Sequence, residues 1–248
     1  MLAQEQPDSS VRHRPFATTR WTLVVAAGGK GSAQASGALA ELCETYWYPL
    51  YAYVRRRGSS IEEAKDLTQS FFTYLLASEA LQVASPARGR FRSFLMASLN
   101  NFLANQWRSE QSQKRGGGKQ LLSLDLEAGE HRYVAEPCHS LTAEKIYERR
   151  FAITLLDRVL SGLEQDYSAA GKRMLFTALK PHLIGAADGT SYAQIATDLG
   201  MTEGAVKISA HRLRNRCRQL LRAEIAQTVD DPSEIDEELR HLLTVLQA

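Results

Sequence analysis

Ser191–Arg222 reads SYAQIATDLGMTEGAVKISAHRLRNRCRQLLR, the pattern of a short helix, a tight turn and a longer cationic helix. Tyr192, Ile195 and Leu199 recur at helical spacing, and Gly200 ends that first helix. Thr202 is placed to cap the second helix, with Glu203 near its positive end. Val206, Leu213 and Leu220 then repeat at heptad spacing, with Ala210 and Cys217 between them, as one apolar stripe. Lys207, Arg212, Arg214, Arg216, Arg218 and Arg222 accompany the stripe, and no acid lies between Ala205 and Arg222. A helix of that shape and charge suits a major groove lined by phosphates. Basic amphipathic helices also bind acidic partners and membrane surfaces. The short first helix, the turn at fixed offset and the confinement of charge to the second helix together favour DNA.

The net charge of the 248-residue chain is only +2, so a nucleic-acid footprint has to come from local segregation of charge. Such segregation is present. From Glu224 onward the tail carries Glu224, Asp230, Asp231, Glu234, Asp236, Glu237 and Glu238 against Arg240 alone. Cys43, Cys138 and Cys217 are odd in number and far apart, which points to reduced thiols and a cytoplasmic protein. His131, Cys138 and His139 lack metal spacing. No apolar run reaches the roughly 20 residues that span a bilayer, and the polar start MLAQEQPDSSVRHRP has no signal-peptide core. With no phosphate loop, nucleophile elbow or metal constellation, the expectation is a protein that is not an enzyme and has no cofactor.

Outside the opening stretch the chain also reads as helices. Residues 1–18 read as an arm, and Thr19 is placed to cap a short helix expected through Trp21, Leu23 and Val24 before the break GGKGS. The next helix, SAQASGALAELCETYWYPLYAYVRRR, has Leu39, Leu42, Tyr46, Leu50, Tyr53 and Val54 on its apolar face, and Pro49 is expected to kink or divide it. Ser60 caps a helix with Ile61, Ala64, Leu67, Phe71, Phe72 and Leu75 as its stripe. From about Gly89 to Ser112, Phe91, Phe94, Leu95, Leu99 and Phe102 cluster on one side, opposite Ser93, Asn100 and Trp107. KRGGGK at Lys114–Lys119 opens a linker whose LLSLDL is expected to lie against something. Helices over Thr142–Leu163 and Lys172–Leu183 follow, and Ser233 is expected to cap a last helix through Leu242 and Leu246. Period-2 alternation of useful length is absent, so the fold class is all-α, with two helical domains joined by a linker. The expected divisions are an arm (1–18), a first domain (19–113), a linker (114–141), a second domain (142–228) and an acidic helical extension (229–248).

Two blocks in this order resemble a bacterial RNA polymerase sigma factor of the extracytoplasmic-function (ECF) type, in the sigma-70 family. Tyr192, Ile195, Ala196, Leu199, Gly200, Gly204, Val206, Lys207, His211, Arg212, Arg214 and Leu220 match the pattern of that family's region 4. AKDLTQSFFTYLL, within Tyr48–Arg108, resembles the signature of region 2, and FRSFLMASLNNFLANQWR resembles the stretch after it. The resemblance implies that core RNA polymerase and promoter DNA are partners. The β′ clamp helices and the β flap would be the polymerase surfaces, and an anti-sigma factor or a Ser/Thr kinase would be a further partner.

Carried over by position, the resemblance implies that Asp66, Leu67 and Gln69 contact the polymerase, with Phe72 supporting their helix. It makes Arg92, Asn100, Asn101, Asn105, Trp107 and Arg108 candidates for the −10 element. Asparagine can read base edges, arginine can hold phosphate, and Trp107 can stack on an unpaired base. Thr202, Glu203, Lys207, Ser209, His211, Arg212 and Arg214 are the candidates for the −35 element. Lys65 stands where the family has an acid, Ser209 where it often has arginine, and Leu103-Ala104 where it has an acidic pair. A phosphate on Thr68 would add about −1.5 to −2 charges beside Lys65, which makes Thr68 a candidate regulatory phosphosite. The acidic tail either folds back over the basic recognition helix or caps the second domain. The rival function is a helix-turn-helix regulator that does not join polymerase.

Overall fold

The computed structural model describes residues 33–77, 90–110, 126–134, 141–183, 190–229 and 231–247. Among the described residues there are helices and turns and no strand. The helices are α1 (Ala33–Arg56), α2 (Ile61–Ala77), α3 (Phe91–Glu110), α4 (Leu126–Val134), α5 (Ala143–Ala169), α6 (Arg173–Leu179), α7 (Tyr192–Leu199), α8 (Glu203–Ala226) and α9 (Ile235–Gln247). The expected arm, the short helix after Thr19, the Lys114–Lys119 break, Cys138 and His139 lie outside the described residues.

Local chemistry accounts for many of the helix boundaries. Ser60 and Glu63 form a reciprocal capping box at the start of α2: the Ser60 hydroxyl accepts from the Glu63 amide and the Ser60 amide donates to the Glu63 carboxylate. Thr142, Ser191 and Thr202 cap α5, α7 and α8 in the same one-sided way, each accepting from the amide three residues on. At the start of the last helix, however, Asp231 accepts from the Ser233 amide and leads a 3₁₀ turn, Pro232–Glu234, into α9. Asp231 is therefore the cap, and Ser233 is the residue capped. Pro49 neither divides nor ends α1. Its neighbours Trp47, Tyr48, Leu50 and Tyr51 are all buried, so packing holds the helix together across the missing amide. The helix expected to reach Leu183 gives way at Leu179 to a 3₁₀ turn, Lys180–His182, where Pro181 supplies no amide for another α-helical bond.

Gly200 ends α7 with φ of +63°, a conformation that L side chains adopt at a cost. Gly200→Ala should therefore destabilise the helix-turn-helix by about 1–2 kcal/mol, read as a lower thermal midpoint. Space is not the issue, since a methyl group there would meet nothing within 4 Å.

Two large apolar cores form among the described residues, and α5 serves both. The first collects Tyr46, Leu50 and Tyr51 of α1, Phe71 and Phe72 of α2, Phe91, Leu95 and Leu99 of α3, and Tyr147, Phe151 and Leu155 of α5. Ile225, Val229 and Leu242, from the far end of the chain, complete it. The second collects Val159 and Leu163 of α5, Phe176 of α6, Ile195 of α7, and Val206, Ala210, Leu213 and Leu220 of α8. Leu155 and Val159 lie about 6 Å apart along the helix, so the two cores abut.

Helix α4 falls inside the expected linker and is docked on α1. Arg55 makes a two-pronged pair with Glu130, at 3.0 Å from Nε and 2.9 Å from Nη2, and the Tyr51 hydroxyl donates to the same carboxylate. The Arg55 hydrogen bond holds the Glu130 carboxyl below its usual range. Gly129 permits the close approach: a Cβ there would sit 2.5 Å from the Trp47 ring. Of the LLSLDL segment, only Leu126 is among the described residues.

Candidate nucleic-acid interface

The stripe Val206, Ala210 and Leu213 seats α8 in the second core, which turns the opposite side outward. At about 100° per residue, Lys207, Ile208, His211 and Asn215 fall in one arc opposite that stripe, with Arg212 and Arg214 at its two edges. Lys207, His211, Arg212 and Arg214 are exposed, and Ile208 is 55% exposed. The face is braced from within. Lys207 pairs with Glu203 at 2.7 Å, Arg214 donates to the Tyr192 hydroxyl at 2.6 Å, and the Asn215 amide nitrogen lies 3.0 Å from His211 Nε2. Thr202 is committed to its cap, and the Ser209 hydroxyl donates to the Ala205 carbonyl at 2.8 Å on the flank of the helix. Ile208 and Asn215 were not anticipated from the sequence, although helical spacing from Lys207 and His211 places them on the same arc.

The C-terminal half of α3 carries a second cluster. Asn100 Oδ1 accepts from the Tyr53 hydroxyl at 2.9 Å and from Arg57 Nη1 at 3.1 Å. The Arg57 guanidinium also lies over the Trp107 ring, 5.1 Å from its centroid. Trp107 remains 50% exposed, so an aromatic face and a cation are presented together. Asn101, Asn105 and Arg108 are exposed on the adjoining face of the helix, where Arg108 donates to the Asn105 side-chain Oδ1 at 3.2 Å. Arg57 was missed in the sequence; the run Arg55–Arg57 at the end of the α1 stripe was its signal.

Arg92 does not join this cluster. It lies 15 residues, about 22 Å of helix, before Trp107 and is 11% exposed, held by Glu238 and Glu148 at 2.6 Å each. Burial opposes its charge, but the carboxylates outweigh that and keep its pKa above the ordinary guanidinium value.

On α2, Asp66 is exposed and Leu67 half-buried, whereas Gln69 is 9% exposed and Phe72 is fully in the core. Glu62 and Lys65 pair at 3.3 Å on the outer side. A cleft of about 340 Å³ runs between the Arg57–Ser59 turn, α2 and the end of α3, with Asp66 and Leu67 on one wall and Gln106 and Trp107 on the other. Thr68 is fully buried, and its hydroxyl has no hydrogen-bond partner among the described residues. A dianionic phosphate cannot be placed there without lifting α2 from the core, so the expected phosphosite is corrected to an interior packing position.

Cys43 is buried and Cys217 half-buried, and both are free thiols. Burial, with Glu44 adding, pushes the Cys43 thiol up to about 12, which leaves it unreactive. Among the described residues, no helix is long and apolar enough to cross a membrane.

A family model described as ECF sigma factor matches residues 35–223, most of the chain. No curated protein and no solved structure matches it.

Proposed function

The chain belongs to the ECF sigma factor family, which acts in transcription initiation, and from that premise we propose that it joins core RNA polymerase and directs it to promoters through two DNA-reading faces. The exposed arc of α8, with Lys207, His211, Arg212 and Arg214, reads the −35 element. The end of α3, with Asn100, Asn101, Asn105, Trp107 and Arg108, reads the −10 element, and Arg57 positions Asn100 and Trp107. Asp66 and Leu67 meet the β′ clamp helices, while the helices around the second core meet the β flap. Gln69 and Phe72 act from beneath, by holding α2 in place.

The observation that carries the reading is the pairing of two dissimilar surfaces on one chain. One is a cationic helix face suited to duplex phosphates, and the other is an exposed tryptophan beside a guanidinium, suited to an unstacked base. A base taken from the duplex needs an aromatic platform, and a closed duplex needs neither that platform nor the cleft beside it.

Association with core polymerase tests this. Asp66→Ala removes a carboxylate from an exposed wall without touching either core, so the variant should fold normally. Loss of one charge-assisted hydrogen bond, about 1.5–3 kcal/mol, should weaken core-polymerase binding about tenfold to hundredfold in a pull-down or interferometry titration. Undiminished polymerase binding by Asp66→Ala would remove α2 from that interface. No binding by the unaltered chain would leave a DNA-binding regulator that works without polymerase.

A further inference from the structure

Two residues at the centre of the outward arc of α8 have no role within the fold. Gly204 and Ile208 stand one turn apart on the same side of the helix, about 6 Å along its axis, in line with His211 and Asn215. Both are exposed, Ile208 to 55%. Gly204 lies in the first turn of α8, where glycine costs stability relative to alanine. Its φ lies outside the left-handed region that favours glycine, and a Cβ there would meet nothing within 4 Å. Within the chain, alanine would fit as well and hold the helix better. Ile208 joins neither large core, and isoleucine is a weaker helix former than lysine, glutamine or glutamate.

Single exposed apolar side chains are common on protein surfaces, but the setting of this one is unusual. Lys207 and Arg214 border it on one side and Arg212 on the other, all exposed. A duplex that seats its phosphates on those cations is brought against Gly204 and Ile208. In a helix-turn-helix, the N-terminal part of the second helix meets the base edges, and both residues lie in the first two turns of α8. A residue without Cβ lets the backbone come close to the groove floor. Isoleucine neither donates nor accepts a hydrogen bond, so a polar base edge set against it would lose water and gain nothing. Of the four bases, thymine alone offers an apolar group in the major groove, its C5-methyl.

We infer that Gly204 and Ile208 form a close-contact patch that selects a thymine methyl within the −35 element. The patch rests on the promoter-reading function proposed above and deepens it, by naming the kind of base read and the side chain that reads it. Gly204 sets how deeply α8 enters the groove, and Ile208 covers the methyl.

The test uses core polymerase with the full-length chain, titrated at fixed salt onto fluorescent duplexes of a promoter mapped by run-off transcription. Each thymine of the −35 motif, on either strand, is replaced in turn by deoxyuridine, which removes the methyl and keeps every hydrogen bond. At one position or more, uracil should weaken binding about three- to fivefold, the worth of one buried methyl. Ile208→Ala should lose that distinction without a fall in thermal midpoint, and Ile208→Val should keep it. Gly204→Ala should raise the thermal midpoint and yet weaken binding about tenfold, because its methyl holds the helix off the bases. Equal affinity for every thymine and uracil duplex would overturn the patch, as would a −35 motif with no A·T pair. A thymine preference that survives Ile208→Ala, or undiminished binding by Gly204→Ala, would overturn it as well. All four results leave the promoter-reading function standing. An absence of transcripts from the unaltered chain sinks that function and the patch with it.

Discussion

Phe151→Ala should destabilise the chain by about 3–5 kcal/mol, the largest stability effect expected at any single position. Phe151 is fully buried, stacks on Tyr46 at 5.3 Å between centroids and lies 6.1 Å from Tyr147. Tyr46 in turn meets the edge of Phe91 at 5.0 Å, so one ring joins α1, α3 and α5. Removing it opens a cavity on the helix that both cores share, and neighbouring rings fixed by their own contacts cannot collapse to fill it. Because α5 spans the two cores, the loss should appear in the helices around both. Urea unfolding followed by tryptophan fluorescence (Trp21, Trp47 and Trp107) and by far-UV circular dichroism should shift together. A loss under about 1 kcal/mol, or a shift in only one signal, would contradict a shared spine.

The second large effect concerns DNA. Simultaneous Lys207→Ala, Arg212→Ala and Arg214→Ala should flatten the salt dependence of binding to a −35 duplex by as much as about 2.7 units of slope, about 0.9 for each phosphate contact. Between 50 and 200 mM salt, the fall in affinity would then be about 40-fold smaller than for the unaltered chain. All three residues are exposed and none belongs to either core, so the fold should survive and the thermal midpoint should change little. A side chain that reads a base edge would instead relax specificity at one position, by about 1–3 kcal/mol. Single variants assayed on altered duplexes distinguish the two kinds of contact. An unchanged salt slope in the triple variant would place the DNA elsewhere on the chain.

The features that could be read in the sequence are the local ones. Ser191, Gly200 and Thr202 set the helix-turn-helix through caps and a left-handed turn, and each acts within a few residues of itself. The Ser60–Glu63 box is of the same kind. Hidden features depend on partners far along the chain. Nine-residue α4 is too short to be stable by propensity; it exists because Arg55 binds Glu130 and Gly129 lets it approach Trp47. Arg92 looked like a DNA contact because it lies at the start of the right helix, but its carboxylate partner is 146 residues away. Thr68 was singled out because a phosphate there would offset the charge of Lys65, yet its side chain turns inward with Ala64 and Phe71. The tail's negative charge was plain, but no local pattern carries the register that seats Glu238 between Arg90 and Arg92.

Under the proposed function, this chain gives core polymerase its choice of promoter. Run-off transcription with purified core polymerase, the full-length chain and genomic DNA tests it most directly. The predicted result is a set of discrete transcript starts, absent with core polymerase alone, whose upstream sequences share two short motifs near −10 and −35. Transcripts no different from those of core polymerase alone would contradict it.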